Sequence, residues 1–338
     1  MGEICRRNMS GLWRHPVKIL VVNDPHVAAG PPRGCRPVYV DDVFNMLEEA
    51  QLIALANECE VTVFTGDIFH VKRGTPDWVK VRLIKIFGQW PGEKIAIVGN
   101  HDLGPTGFDS VPYQPIGVLF QAGVLHWLRQ DEIRLYPQHR EKPIRIQWSP
   151  ANFFDEIDED PVNFGLTRAT GVDWAIKIAH GSLVKPRKSP YPFTVVPFDT
   201  VQTTGMDLCL FGHIHNDQGI TEVNDCVFAC LGSLGRVARD DHNYMRKMRL
   251  LMVNITKEEM TFDTIPLTSA ISPDELYLAK TAPGAELDEP MARFARDIEK
   301  LISHDAERGL DEAIETVGKG VDIGVRRRVK ALLEEAGF

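Results

Sequence analysis

Three short apolar runs, each stopping at a polar turn, set the architecture of the first hundred residues. Val17 to Asn23 ends at Asp24, Val61 to Thr65 at Gly66-Asp67, and Ile95 to Val98 at Gly99-Asn100. The runs are rich in β-branched residues, so each predicts a strand buried on both faces. Between the first two, Val43, Phe44, Leu47, Leu52 and Leu55 follow helical spacing, with Asp41 as the expected N-cap. Between the second and third, Thr75-Pro76 predicts a helix start, with Thr75 as cap and Pro76 in the first turn. Strand, helix, strand, helix, strand implies parallel strands joined by crossover helices. In sheets of that kind ligands collect outside the carboxyl ends of the strands.

The 338 residues suffice for one large core and a smaller appendage. A net charge of -9 gives no global basic signature for nucleic acid. Bound divalent ions and local basic clusters can nevertheless set the field at a cleft. The six cysteines (5, 35, 59, 209, 226 and 230) form no CxxC pair and read as reduced thiols. Arg6, Arg7 and Arg14 precede no apolar stretch suited to a signal peptide, and Arg6 stands where myristoylation needs Ser or Thr. No membrane span is expected, and the chain reads as cytoplasmic (the host's cytoplasm if phage-encoded).

From about 103 to 170 the pattern loosens, with frequent Pro and Gly and an acidic stretch from Asp155 to Asp160. Strands are expected again at Ala175 to Ala179, Leu208 to Phe211, Val227 to Leu231, Arg249 to Asn254 and Met260 to Ile265. The composition then changes, which suggests a body over 1–270 and a helical extension over 271–338. Within the extension, Glu286 to Ile302 and Val325 to Ala336 read as amphipathic helices separated by a Gly-containing segment.

The polar residues fall where the predicted strands end. Asp24-Pro25-His26, Gly66-Asp67, Gly99-Asn100-His101-Asp102, His180-Gly181 and Gly212-His213-Ile214-His215 occur in this order. Taken singly, most fit ordinary turns; together they supply carboxylates, an amide and imidazoles to one rim. The set resembles the signature of the calcineurin-like metallophosphoesterase superfamily, over roughly residues 17 to 266. The resemblance implies an α/β sandwich of two mixed β-sheets flanked by helices. It also implies two divalent metal ions, with Asp24, His26 and His215 on one, Asn100, His180 and His213 on the other, and Asp67 bridging. Mixed Asp, Asn and His ligation suits Mn2+, Fe or Zn better than Ca2+. A metal-activated water would be the nucleophile. His101 would protonate the leaving oxygen, with Asp102 orienting its imidazole.

Gly66-Asp67-Ile68-Phe69-His70 resembles the Mre11/SbcD nuclease branch, which implies that His70 helps place a phosphate or a nucleic-acid end. Lys72-Arg73-Gly74-Thr75-Pro76 and Gly232-Ser233-Leu234-Gly235-Arg236 resemble segments of the same branch, with Arg236 a candidate for holding a phosphate. Lys185, Arg187 and Lys188, with Tyr191 and Phe193 following, are the favoured contacts to DNA. The extension resembles, in position, the segment that docks on an SbcC/Rad50-like ATPase, and a homodimer is a further expectation. The leading reading is a dinuclear DNA exo/endonuclease. The alternatives are a phosphoesterase for a nucleotide, cyclic nucleotide or phosphoprotein, and a catalytically dead binding scaffold.

Overall fold

The alternation of buried residues along the first strand dictates a three-layered packing around it. In the computed structural model, which describes residues 16–138, 141–153, 160–185, 194–278 and parts of 294–333, β1 (Val17–Val22) is buried on both faces. Val17, Ile19 and Val21 enter one apolar cluster, whereas Leu20 and Val22 enter another. Helix α1 (Tyr39–Ala56), β2 (Val61–Phe64), α2 (Asp77–Gly88) and β3 (Glu93–Ala96) follow in chain order. β1 pairs parallel with β2 and β2 parallel with β3, which is the expected crossover pattern. Short α3 (Pro115–Gln121) then leads to β4 (His126–Trp127), parallel to β3.

The loosely patterned stretch holds a hairpin that the sequence reading missed, β5 (Glu132–Gln138) against β6 (Glu141–Ala151). Its outer strand shows Ile133 and Leu135 to solvent and turns Glu132, Arg134 and Tyr136 inward, so its alternation is inverted with respect to burial. Then come β7 (Trp174–Gly181), β8 (Leu183–Val184), β9 (Val196–Pro197), β10 (Leu208–His213), β11 (Gly219–Val223) and β12 (Cys226–Cys230). Helix α4 (Asp241–Met245), β13 (Arg249–Ile255), β14 (Met260–Pro266) and α5 (Pro273–Leu276) complete the body.

Two six-stranded mixed sheets result, ordered β14-β13-β1-β2-β3-β4 and β11-β12-β10-β7-β6-β5. They face each other across a core containing Ile19, Val63, Ile97, Trp148, Ile178 and Leu210. The first sheet's outer face carries α1, α2 and α3 through Phe44, Leu47, Phe64, Leu83 and Leu119. The second sheet's outer face is covered by Phe164, Phe198 and Phe211. The sandwich of two mixed sheets flanked by helices is therefore as expected.

Details of the helices differ from the sequence reading. α1 starts two residues before Asp41, so Asp41 and Asp42 lie in its first turn, where carboxylates favour the helix dipole, and no side chain caps it. Leu52 and Leu55 are exposed, because the buried stripe runs through Val43, Met46, Leu47, Ala50 and Ala54. At α2 the cap position is Pro76, and Thr75 makes no capping bond. Packing on the body continues past 270, since Leu276 and Tyr277 join the helix-side core. In the extension, Phe294, Ile298, Leu301, Ile314, Val329 and Leu333 form a cluster of their own, and the separator between the two expected helices itself contains α6 (Leu310–Val317). Cys35, Cys59, Cys209, Cys226 and Cys230 are buried free thiols. Among the described residues no helix is long and apolar enough to cross a membrane.

Candidate metal centre

Loops at one rim of the first sheet meet strand ends of the second. Asp24 and His26 follow β1, Asp67 follows β2, and Asn100 to Asp102 form a 3-10 turn after β3. His180 lies within β7 and His213 ends β10, whose parallel register sets Gly212 beside His180. Asp24, His26, Asp67 and His213 all have positive φ (40°, 47°, 48° and 91°). Non-glycine residues hold that conformation only when their surroundings over-determine it, at roughly 1–3 kcal/mol each. Here cross-loop bonds do so: His26 N donates to Asp67 O at 2.9 Å, and Gly235 N to Asp24 O at 3.2 Å. Gly66, with φ of 101°, has no room for a side chain, since a Cβ would lie 2.9 Å from Gly99 N and against His180.

The side chains converge on Asp67. Its Oδ1 accepts from His101 N at 2.8 Å. Its Oδ2 lies 3.6 Å from His26 Nε2 and 3.4 Å from His180 Nε2. On one side His26 Nε2 and His215 Nε2 stand 2.8 Å apart. On the other, Asn100 Oδ1 is 3.1 Å from His180 Nε2 and 3.0 Å from His213 Nδ1. His26, Asp67 and His215 form one group with ligand atoms close enough for a metal ion, and Asp67, His180 and His213 a second. Asp24 is oriented toward the second sheet: His213 N donates to its Oδ2 at 3.0 Å, and its Oδ1 lies 3.5 Å from His180 Nδ1.

Electrostatics match a cation-binding donor set. Burial pushes the His26 and His215 imidazoles well below their usual range, which keeps them neutral and their lone pairs available. Burial alone would raise Asp67, but the neighbouring His180 and His101 hold its carboxyl well below the usual carboxylate range. Burial raises Asp24 to about 7, reinforced by the Asp67 charge. Against the opposing effect of burial, Asp67 and Asp24 lift His180 to about 10. Two buried carboxylates, an amide oxygen and imidazoles gathered around Asp67 are the donor types that divalent first-row metals take, and an arriving cation would displace the proton that the carboxylates hold on His180.

Two expected roles are corrected. Asp102 does not orient His101: its carboxylate accepts from Gly99 N at 3.1 Å and from Ile68 N and Phe69 N at 3.4 Å each, tying two site loops together. His101 Nδ1 instead meets His70 O at 2.6 Å. Arg236 does not reach the site: it is buried, and its Nη2 donates to Asp42 Oδ2 at 2.8 Å and to Ile271 O at 2.9 Å. His70 does belong to the site, stacked on His101 with ring centroids 5.6 Å apart, and burial lowers it to about 3. Lys185 follows β8, with its backbone N 3.5 Å from Gln218 Oε1, whereas Arg187, Lys188, Tyr191 and Phe193 lie outside the described residues.

Three supporting residues escaped the sequence reading. Thr65 O accepts from His180 Nδ1 at 2.8 Å, and Asn23 Nδ2 donates to Thr65 Oγ1 at 3.0 Å and to Phe211 O at 2.8 Å. Both are polar residues closing apolar runs one or two positions before a site residue, Asn23 before Asp24 and Thr65 before Gly66-Asp67, which is the signal that could have found them. Phe153 packs edge-on to His180 and tilted on His213, at 5.9 and 5.4 Å between centroids. It also lines a cleft of about 1100 Å3 that reaches the centre at Asn100 and is flanked by Lys72, Arg73 and Phe108.

A sequence model of calcineurin-like phosphoesterases matches residues 17–217. A double-strand break repair protein, MRE11, from Encephalitozoon cuniculi is 23% identical over 256 residues, covering 66% of this chain and 42% of that protein. Among solved structures, a dimetal phosphatase from Danio rerio aligns at 11% identity with a TM-score of 0.42, over 75% of this chain and 100% of its own. The NAD nucleotidase of Haemophilus influenzae aligns at 12% identity with a TM-score of 0.41, over 96% of this chain and 60% of its own. The matched span runs from the first strand past His215 and takes in every loop that meets at Asp67, so the chain belongs to the calcineurin-like phosphoesterase family.

Proposed function

We propose that this protein is a dinuclear metal-dependent phosphodiesterase that cleaves DNA. One observation carries the chemistry: a single carboxylate oxygen, Asp67 Oδ2, stands between His26 and His180 at 3.6 and 3.4 Å, with a further donor group behind each. On the family resemblance Asp24, His26 and His215 are assigned to one ion, Asn100, His180 and His213 to the other, and Asp67 to both, although among the described residues the Asp24 carboxylate contacts His213 and His180 rather than His26 and His215. Mn2+ is the proposed metal, with Fe or Zn served by the same donors. Such an ion pair, when bound, stabilises charge on the phosphate and lowers the pKa of a water.

The chain's own groups do the rest. His101 donates its Nδ1 hydrogen to the His70 carbonyl, which fixes the ring and leaves Nε2 as the atom that carries a proton to the leaving oxygen. His70, stacked on that ring, excludes water and steadies the phosphate. Lys72 and Arg73 at the cleft counter phosphate charge along a chain, while Phe153 and Phe108 offer faces to bases. The name of the 23% identical relative, a double-strand break repair protein, supports DNA as the substrate. On the same resemblance, Lys185, Arg187 and Lys188 are assigned to DNA, and residues 286–338 to docking an SbcC/Rad50-like ATPase.

The test is a nuclease assay on end-labelled single- and double-stranded DNA, with and without Mn2+. Wild-type protein should release nucleotides only with metal. His101→Ala should keep its metal content and lose turnover by roughly a hundredfold or more. Inert DNA beside brisk hydrolysis of small phosphoesters would transfer the assignment to a nucleotide or phosphoprotein substrate.

A further inference from the structure

Behind the loop that carries His215, on the flank formed by α4, β13 and β14, lies a second cavity of about 440 Å3. Its lining brings together Arg246, Lys247 and Arg249, with His242 beside them and Asp217 as the one carboxylate. Asp217 is already engaged, because Arg249 Nη2 pairs with its Oδ2 at 2.6 Å and Gly219 N donates to its Oδ1 at 2.8 Å. Three cations facing one compensated anion leave the cavity positive on a chain that is acidic as a whole. Lys247 is exposed and makes no ion pair among the described residues. Arg246 commits its two Nη atoms to Ser233 O at 2.7 Å, Leu231 O at 3.3 Å and Asn243 Oδ1 at 3.1 Å, while its buried Nε has no hydrogen-bond partner. Met245, Met248, Thr264 and Pro266 supply the remaining, largely apolar wall.

We propose that this cavity is a binding site for a phosphate group, separate from the catalytic cleft. The positive end suits an anion with several oxygens: an uncommitted ammonium on Lys247 and the Arg249 guanidinium, held by one bond, can donate to it, and the Arg246 charge lies behind them. The volume admits more than phosphate alone, and Met245, 78% exposed, gives an adaptable apolar surface against which a nucleoside can lie. Occupancy would be felt at the metal centre. Arg246 Nη2 donates to Ser233 O, and Ser233 N donates to His215 O at 3.1 Å, so two consecutive hydrogen-bonding residues join the cavity to a proposed metal ligand.

The test uses the full chain stripped of metal with EDTA, so that phosphate held by active-site ions makes no contribution and the result is independent of the substrate assigned above. Inorganic phosphate and adenosine monophosphate are titrated separately by calorimetry. Both should bind, and both should weaken at least tenfold in Lys247→Glu and in Arg249→Gln, while Lys80→Glu on α2 leaves them unchanged. Adenosine monophosphate binding more tightly than phosphate, with the gain abolished by Met245→Ala, identifies a nucleotide as the source of the group; equal affinities identify free phosphate. Absence of binding by either probe, or binding indifferent to both Lys247→Glu and Arg249→Gln, overturns the proposal.

Discussion

The first sheet reaches the metal centre through loops alone, whereas the second reaches it mainly through strands, with His180 and His213 on β7 and β10 and His215 in the turn just beyond. Asp24, His26, Asp67, Asn100 and His101 all sit beyond strand ends, three of them at positive φ, and depend on one another's backbone for placement. His180 and His213 are instead fixed by the parallel register of β7 and β10, which is buried along its whole length. Strand-borne site residues are placed by the sandwich core, so a local change there should stay local. Loop-borne site residues are placed by neighbouring loops, so a change in one should spread to the others. Asp67 joins the two systems, because its oxygens meet His26 and His101 from the first and His180 from the second.

Asp67→Asn therefore attacks both systems at once and should have the largest effect. Losing the bridging charge should empty both metal positions together and lower turnover by about 4 kcal/mol, roughly a thousandfold. Elemental analysis checks it, and two ions retained per chain would break the idea of a shared carboxylate. Arg236→Ala is next and tests the corrected role of that residue. It strips the charged partner from Asp42, which is 1% exposed and among the described residues keeps only the Ile271 N–H bond, and should cost about 3 kcal/mol of stability in denaturant titrations. Metal content and KM of the folded protein should stay as in wild type; a raised KM for DNA at unchanged stability would return Arg236 to the substrate.

How much of this was legible follows the same division. The parallel strands announced themselves because burial on both faces demands continuous apolar runs, and their ends marked Asp24, Asp67, Asn100 and His213 without any knowledge of contacts. What stayed hidden was non-local. The Asp42–Arg236 pair spans 194 residues, and nothing in Gly232 to Arg236 alone separates a buried structural arginine from one awaiting phosphate. Asp102 was misplaced because the family resemblance, and no contact legible in the sequence, paired it with His101. In the 3-10 turn its carboxylate points back to Gly99 N and across to Ile68 and Phe69 instead. The β5–β6 hairpin was lost because its exposed strand carries Ile133 and Leu135 outward, against the pattern of a half-buried strand.

Gly212→Ala tests whether the strand-borne side is as tolerant as its register suggests. An added methyl would press on Asp24 Oδ1 and come within 2.6 Å of Thr65 Oγ1, where the second sheet approaches the first most closely. A cost of about 2 kcal/mol is expected, with weaker metal binding caused by displacement of Asp24. A stable variant with weakened metal binding would place the sensitivity in the Asp24 loop; an unstable one with intact metal affinity would place it in the strand.

The smallest effect should come from a contact remote from both systems. Glu49 on α1 accepts hydrogen bonds from Thr268 N at 2.9 Å, Thr268 Oγ1 at 2.7 Å, Ser269 N at 2.8 Å and Ser269 Oγ at 2.7 Å. Burial pushes its carboxyl up, but these four donors outweigh burial and hold it below the ordinary 4.5. A depressed folded pKa means that the proton binds the unfolded chain more tightly, so the stabilisation is complete above pH 4.5 and vanishes as pH falls through the lower folded value. Glu49→Gln should cost about 1 kcal/mol at neutral pH, the partial exposure of the group keeping it small. The difference from wild type should close on acidification, with metal content unchanged throughout. If Glu49→Gln instead altered metal content, the placement of the loop-borne ligands would extend through α1, and the first sheet's helices would have to be counted as part of the site.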